Sequence, residues 1–137
     1  MKMMKSGTAV VGRPETGRGS CCFAIPCVLP GGRWLVSYRQ GLDKESSAQS
    51  VKLTWSDDEG APWREPFEPF PTAPTIEGRA GLFRGMACTA LGARRVAAIL
   101  YWLDVSDPSR PFFDRTTEAL LESNGPCWAT SGLKRRT

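Results

Sequence analysis

Apolar residues gather along this chain in short, strand-sized runs bounded by turn residues, and in one stretch they alternate with polar ones at the two-residue period of a β-strand. "SVKLTWS", residues 50–56, sets Val51, Leu53 and Trp55 against Lys52 and Thr54, the pattern of a half-buried strand. Upstream, "FAIPCVL" at 23–29, the turn residues "PGG" at 30–32 and "RWLVSYR" at 33–39 predict two antiparallel strands joined by a hairpin. A polar loop, "QGLDKESSAQ" at 40–49, leads into the third strand, and "DDEG" reverses the chain after it. Residues 66–78, "PFEPFPTAPTIEG", hold four prolines, which cannot donate to a ladder; they predict a linker rather than an interior strand. Residues 1–20 are rich in Gly, Pro and charge without periodicity, and read as a flexible arm.

After the linker the order returns. "GMACTAL" at 85–91, the turn "GAR" and "RVAAILYWL" at 95–103 repeat the first unit, and setting Cys27 over Cys88 aligns Gly31 with Gly92, Arg33 with Arg94 and Leu35 with Val96, an offset of 61. Gly125-Pro-Cys-Trp128 then repeats the spacing of Gly60-Ala-Pro-Trp63 at an offset of 65. In the second copy Leu121 stands where Ser56 does and Ser123 where Asp58 does, so its polar half is lost. The pattern predicts an all-β protein of two similar units, about 21–70 and 79–128, with a basic tail at 129–137.

Composition narrows the chemistry. With 137 residues the chain is sized for one domain, and 14 glycines with 11 prolines suit a turn-rich fold. The net charge of +4 comes from the ends: residues 1–20 and the tail carry +3 each, leaving −2 for the rest. A nucleic-acid binder would concentrate positive charge on its folded face, so no nucleic-acid partner is expected. The chain has no histidine, which removes Ser-His-Asp and Cys-His mechanisms and, with no CxxC pairs among five cysteines, any usual zinc ligand set. No metal or other cofactor is expected. Cys27 and Cys88 sit beside apolar runs and read as small core residues. The longest apolar run, "VAAILYWL" at 96–103, is strand-sized, so no membrane partner is expected, and "MKMMK" is not followed by the apolar stretch of an export signal.

One stretch is more specific. "SDDEGAPW", residues 56–63, reads Ser56-x-Asp58-x-Gly60-x-x-Trp63. Ser56 and Asp58 can hydrogen-bond the backbone of a turn, Gly60 can supply a positive φ, and Trp63 can fold back over the corner. Short strands in a repeat of about 60 residues, with a turn signature at one corner, are how a propeller blade looks in sequence. This spacing is that of the Asp-box, or BNR repeat, and "KLTWSDDEGAPW" resembles the Asp-box strand and turn of the sialidase (neuraminidase) superfamily. "CFAIPCVLPGGRWLVSY" is similar to that family's opening strand, where a Phe-Arg-Ile-Pro segment precedes a Leu-rich strand. The 84–121 stretch, with its "SDPS" and "TTEALL", is similar to the second-blade region of bacterial sialidase-like proteins.

The resemblance implies about two antiparallel four-stranded blades of a six-bladed β-propeller, an incomplete one at this length. It implies hydrolysis of sialic-acid-type glycosides as the family's activity, with arginines on the substrate carboxylate, a Tyr–Glu nucleophile and a loop Asp as acid/base. Where the family's first arginine stands, this chain has Ala24, and a methyl group makes no bidentate contact with a carboxylate. Asp43, 13 residues before Ser56, lies near the position of the family's acid/base. Arg39 and Arg84 are the candidates to meet an anionic sugar, Glu118 matches a family-like position without an assignable role, and no Tyr–Glu pair can be placed. The expectation is a sialidase-like fragment that is inactive alone. The alternative is a non-catalytic module for glycan or protein contact, able to self-associate through open blade edges. A small β-sandwich of another lineage would make the repeat an accident.

Overall fold

The computed structural model describes residues 7–12, 14–17, 19–111, 115, 117–122 and 132–133. One 3-10 turn (Pro14–Thr16) precedes seven strands: β1 (Ser20–Val28), β2 (Trp34–Gly41), β3 (Ser50–Ser56), β4 (Gly81–Gly92), β5 (Arg95–Asp104), β6 (Thr117–Glu122) and β7 (Gly132–Leu133). They form two open antiparallel sheets, each a meander in chain order: β1-β2-β3 and β4-β5-β6-β7. Two residues of the expected basic tail thus form a strand, pairing with Leu121 and Glu122. The degenerate second corner at 123–131 lies outside the described residues.

The first sheet has three strands, not the four expected. What would be the fourth is one bridge, in which Leu53 and Phe67 exchange both backbone hydrogen bonds, at 2.9 and 3.0 Å. The next hydrogen-bonded pair on one side would set Val51 against Pro69, which has no N–H to give. The proline-rich segment is nevertheless packed rather than a bare linker. Phe67, Phe70, Ala73 and Ile76 lie against the core, and the Trp102 indole donates to the Pro74 carbonyl at 2.9 Å. Proline forbids ladder pairing, not side-chain burial.

One core lies between the sheets. Leu35, Val51 and Leu53 of the first meet Phe83, Met86, Ala98, Leu100 and Trp102 of the second. The buried Ser37 hydroxyl crosses the gap to donate to the Met86 carbonyl at 2.7 Å. Trp102 fits because Gly81 crosses it: a Cβ there would come within 1.8 Å of the indole nitrogen.

The hairpin registers show how the sheets are related. Ile25 pairs with Ser37 where Ala87 pairs with Ile99, and Val28 with Trp34 where Ala90 pairs with Val96, so the equivalent positions are 62 apart rather than the 61 of the cysteine alignment. The one-residue difference inverts the facing, because side chains alternate between faces along a strand. Ser37, turned toward the second sheet, is equivalent to Ile99, turned away from the first. The sheets therefore stack in the same sense.

Candidate functional site

The corner at 56–63 is built as a clasp. The fully buried Ser56 hydroxyl accepts from the N–H groups of Asp58 at 3.2 Å and Gly60 at 3.0 Å, and Ala61 N–H donates to the Asp58 carbonyl at 3.0 Å. The turn requires φ +47° at Glu59 and +99° at Gly60. Gly60 carries the second at little cost and lets the rings of Trp34 and Trp63 close on either side, each 3.7 Å from where a Cβ would sit. Asp57 pairs with Arg33 at 2.6 Å and Arg64 at 3.5 Å; the hydrogen bond from Arg33 is the main reason its carboxyl titrates below the usual range. The Asp58 carboxylate, expected to share the clasp, is exposed and makes no hydrogen bond among the described residues. Ser56 does the holding.

A different arrangement stands at the other end of β2. Arg39, a sequence candidate to meet an anionic sugar, is 2 % exposed. Its Nη1 and Nη2 have no hydrogen-bond partner among the described residues, and its guanidinium carbon lies 4.8 Å from the centre of the Phe23 ring. Two bulges shape this end. β1 shifts register between Cys22 and Ile25, with Phe23 at φ +56° and Ala24 exposed, and β4 shifts between Phe83 and Gly85, where Arg84 is the extra residue. Bulges re-aim side chains at the margins of sheets and beside sites. A cavity of about 290 Å³ opens between them, lined by Phe23, Ile25, Arg84, Gly85, Met86 and Tyr101. Burial, and then the positive charge of Arg39, lower the pKa of half-buried Arg84. The structure thus brings together the two arginines that the sequence named.

It does not bring Asp43 to them. That side chain is exposed in the β2–β3 loop, where its carboxylate accepts the Glu45 N–H at 2.8 Å, and it lines neither this cavity nor the second one. The second cavity, about 550 Å³, lies between residues 9–11 of the arm and the far face of the first sheet, beside Tyr38, Lys52 and Trp63. Among the described residues buried Tyr38 has no hydrogen-bond partner for its hydroxyl, and burial chiefly pushes its pKa up to about 12. Lys52 is spoken for by Glu68, 2.9 Å away. Cys27 and Cys88 pack against the core as expected, and burial raises the Cys88 thiol to about 11, a value that leaves it inert. The backbone of Glu118 pairs with Trp102 in β6.

Among the described residues no group of three or more His, Cys, Asp or Glu side chains could hold a metal ion. Nor, among the described residues, is any helix long and apolar enough to cross a membrane. Chemically, the arginine corner presents Arg84 and an aromatic ring on its cavity wall, with the second cation, Arg39, buried against Phe23. Among the described residues no carboxylate lines its cavity, and Tyr101 is the one wall residue there that could serve as an acid or base. Phe23 was missed by sequence reasoning; the signal available was an aromatic residue next to the departure at Ala24. Protein-family models, curated proteins and solved structures were all compared with the chain, and none matches it.

Proposed function

We propose that this chain is part of a sialidase-like β-propeller that binds a small anion, of the acidic-sugar class, at Arg39 and Arg84 and does not hydrolyse it by itself. The observation that carries the reading is the Arg39 guanidinium, buried with two unpartnered nitrogens. Burying an uncompensated charge costs several kcal/mol, and such a cost is understandable where a counter-charge arrives from outside. A carboxylate suits the planar guanidinium, which can hold both oxygens. Two like charges drawn together, one with its pKa already lowered by burial and then by the other, would both be relieved by it. Phe23 must turn aside for Arg39 to be reached. It is 61 % exposed and held at a positive φ that costs a non-glycine residue about 1–3 kcal/mol, so the closed position is poorly defended.

The non-catalytic half of the reading follows from the walls. Glycoside hydrolysis uses two carboxyl groups flanking the bond, and among the described residues none lines this cavity. Ala24 lies exposed in the bulge where the resembled family carries an arginine.

Calorimetric titration with N-acetylneuraminic acid and with a neutral N-acetylhexosamine tests the site. The acid should bind saturably, more weakly as salt is raised, and Arg39→Met should reduce its affinity at least tenfold. Equal binding of the neutral sugar, or unchanged affinity in Arg39→Met, would remove the anion site. Turnover of a fluorogenic sialoside would overturn the non-catalytic reading.

A further inference from the structure

We infer that the outer faces of the two sheets bind each other between copies of this chain, head to tail. The second sheet turns Ala87, Thr89, Ala97, Ile99 and Tyr101 away from the core, with Ile99 38 % and Tyr101 43 % exposed. The first sheet turns Pro26, Val28, Trp34 and Val36 outward, with Val28 56 % exposed. None of these residues is charged. Arm residues 9–11 lie near the Tyr38 and Gln40 end of that face, and its β3 side is covered, with Thr54 and Ser56 fully buried; the β1–β2 side, with Pro26, Val28 and Trp34, stays exposed.

The occupant is identified by the repeat. At the offset of 62, Pro26, Val28, Trp34 and Val36 correspond to Cys88, Ala90, Val96 and Ala98, all packed in the core against the first sheet. Ala87, Ala97 and Ile99 correspond to Ile25, Leu35 and Ser37, on the face of the first sheet that the second covers. Each outer face is therefore the unpartnered counterpart of a face that is buried inside the same chain. The surface matching the second sheet's outer face is the first sheet's outer face, and a single chain cannot bring its own two together because its core already lies between them. A second copy can. This contact joins unlike faces, so it leaves one of each free at the ends and continues until a ring closes. It uses sheet faces, not the strand edges suggested by sequence, and of the anion cavity's walls it shares only Tyr101.

Light scattering of the full chain over a range of concentrations, with two single-face variants, tests this. The mass should rise with concentration past that of a dimer of the 15.0 kDa chain. Val28→Arg and Ile99→Arg place a charge at exposed positions, so each should keep the far-ultraviolet circular dichroism of the parent and remain monomeric. Mixed in equal amounts they should form a dimer and stop there, because each retains the one good face that the other lacks. A parent that stays monomeric or halts at a dimer would overturn the inference, as would a mixture that does not pair. Arg39→Met should assemble like the parent, so a failed anion site and a failed assembly are read separately.

Discussion

Strands β2 and β3 carry a charged cluster near each end, and the two clusters are opposites. Near the Trp34–Ser56 pair, Arg33, Asp57 and Arg64 form exposed ion pairs while the buried Ser56 hydroxyl accepts from two amides. Near the Arg39–Val51 pair, a guanidinium is buried with two nitrogens unpartnered and a second arginine close by. The first corner has the more conspicuous residues, three consecutive acids and a tryptophan, and every buried polar group in its turn is accounted for. The second is inconspicuous in sequence, and its accounts do not close. Unmet hydrogen-bonding capacity, rather than density of charge, is what marks the second corner as the candidate.

The largest effect expected from this contrast is at the clasp. Ser56→Ala removes the acceptor of two amides in a part-buried turn, and orphaned donors cost about 1–3 kcal/mol each when water cannot reach them. A loss of about 2 kcal/mol in urea unfolding is expected, with the denaturant slope unchanged. A loss below about 0.5 kcal/mol would mean that the turn holds itself. The opposite sign is expected at the other corner. Arg39→Met removes an uncompensated buried charge while keeping most of the stem's volume, and should raise stability by about 1–2 kcal/mol, less than the full burial cost because the contact with Phe23 is also lost. If Arg39→Met instead unfolds more easily than the parent, the guanidinium is structural and the contrast between the corners collapses.

A smaller effect is expected in the pH dependence. The folded pKa of Asp57 is depressed, chiefly by its hydrogen bond with Arg33, so its contribution is fully present above the unfolded value of about 3.9 and is lost as pH falls through the lower folded value. Between pH 4 and pH 2 the parent should lose more stability than Asp57→Asn does, and the difference should shrink in high salt because the pairs are exposed. Identical slopes would show that the ion pairs at this corner are ornamental.

How much of this was legible in the sequence follows the same division. Alternation placed β3 closely, and short apolar runs bounded by turn residues placed β2 and β5. Gly60 and Trp63 were legible since a tight turn leaves few residue types to choose from. The missing fourth strand was half legible: the prolines forbade a ladder, but nothing local said that Phe67, Phe70 and Ile76 would still pack. The facing of the two sheets was not legible. The cysteine alignment is one residue from the true register, and only the hairpin pairing, which depends on loop length, resolves it. Nor was the burial of Arg39, because strand alternation gives a residue's face while the neighbouring sheet and the Phe23 ring decide what covers it.

The smallest expected effect tests the finest distinction within the clasp itself. In the Ser-x-Asp-x-Gly-x-x-Trp pattern the carboxylate of Asp58 is as prominent as the serine, yet here it points to solvent and the turn uses only its backbone: its N–H donates to Ser56 and its carbonyl accepts from Ala61. Asp58→Ala keeps both of those groups and removes one exposed negative charge beside Asp57 and Glu59. Substitutions that touch neither packing nor a buried hydrogen bond change stability by about 0.5 kcal/mol or less. Asp58→Ala is therefore expected to unfold within that margin of the parent, with the weakened crowding of like charges pushing slightly toward stability. A loss comparable to that of Ser56→Ala would show that the carboxylate takes part in the clasp in solution, and the division of labour between serine and aspartate would have to be redrawn.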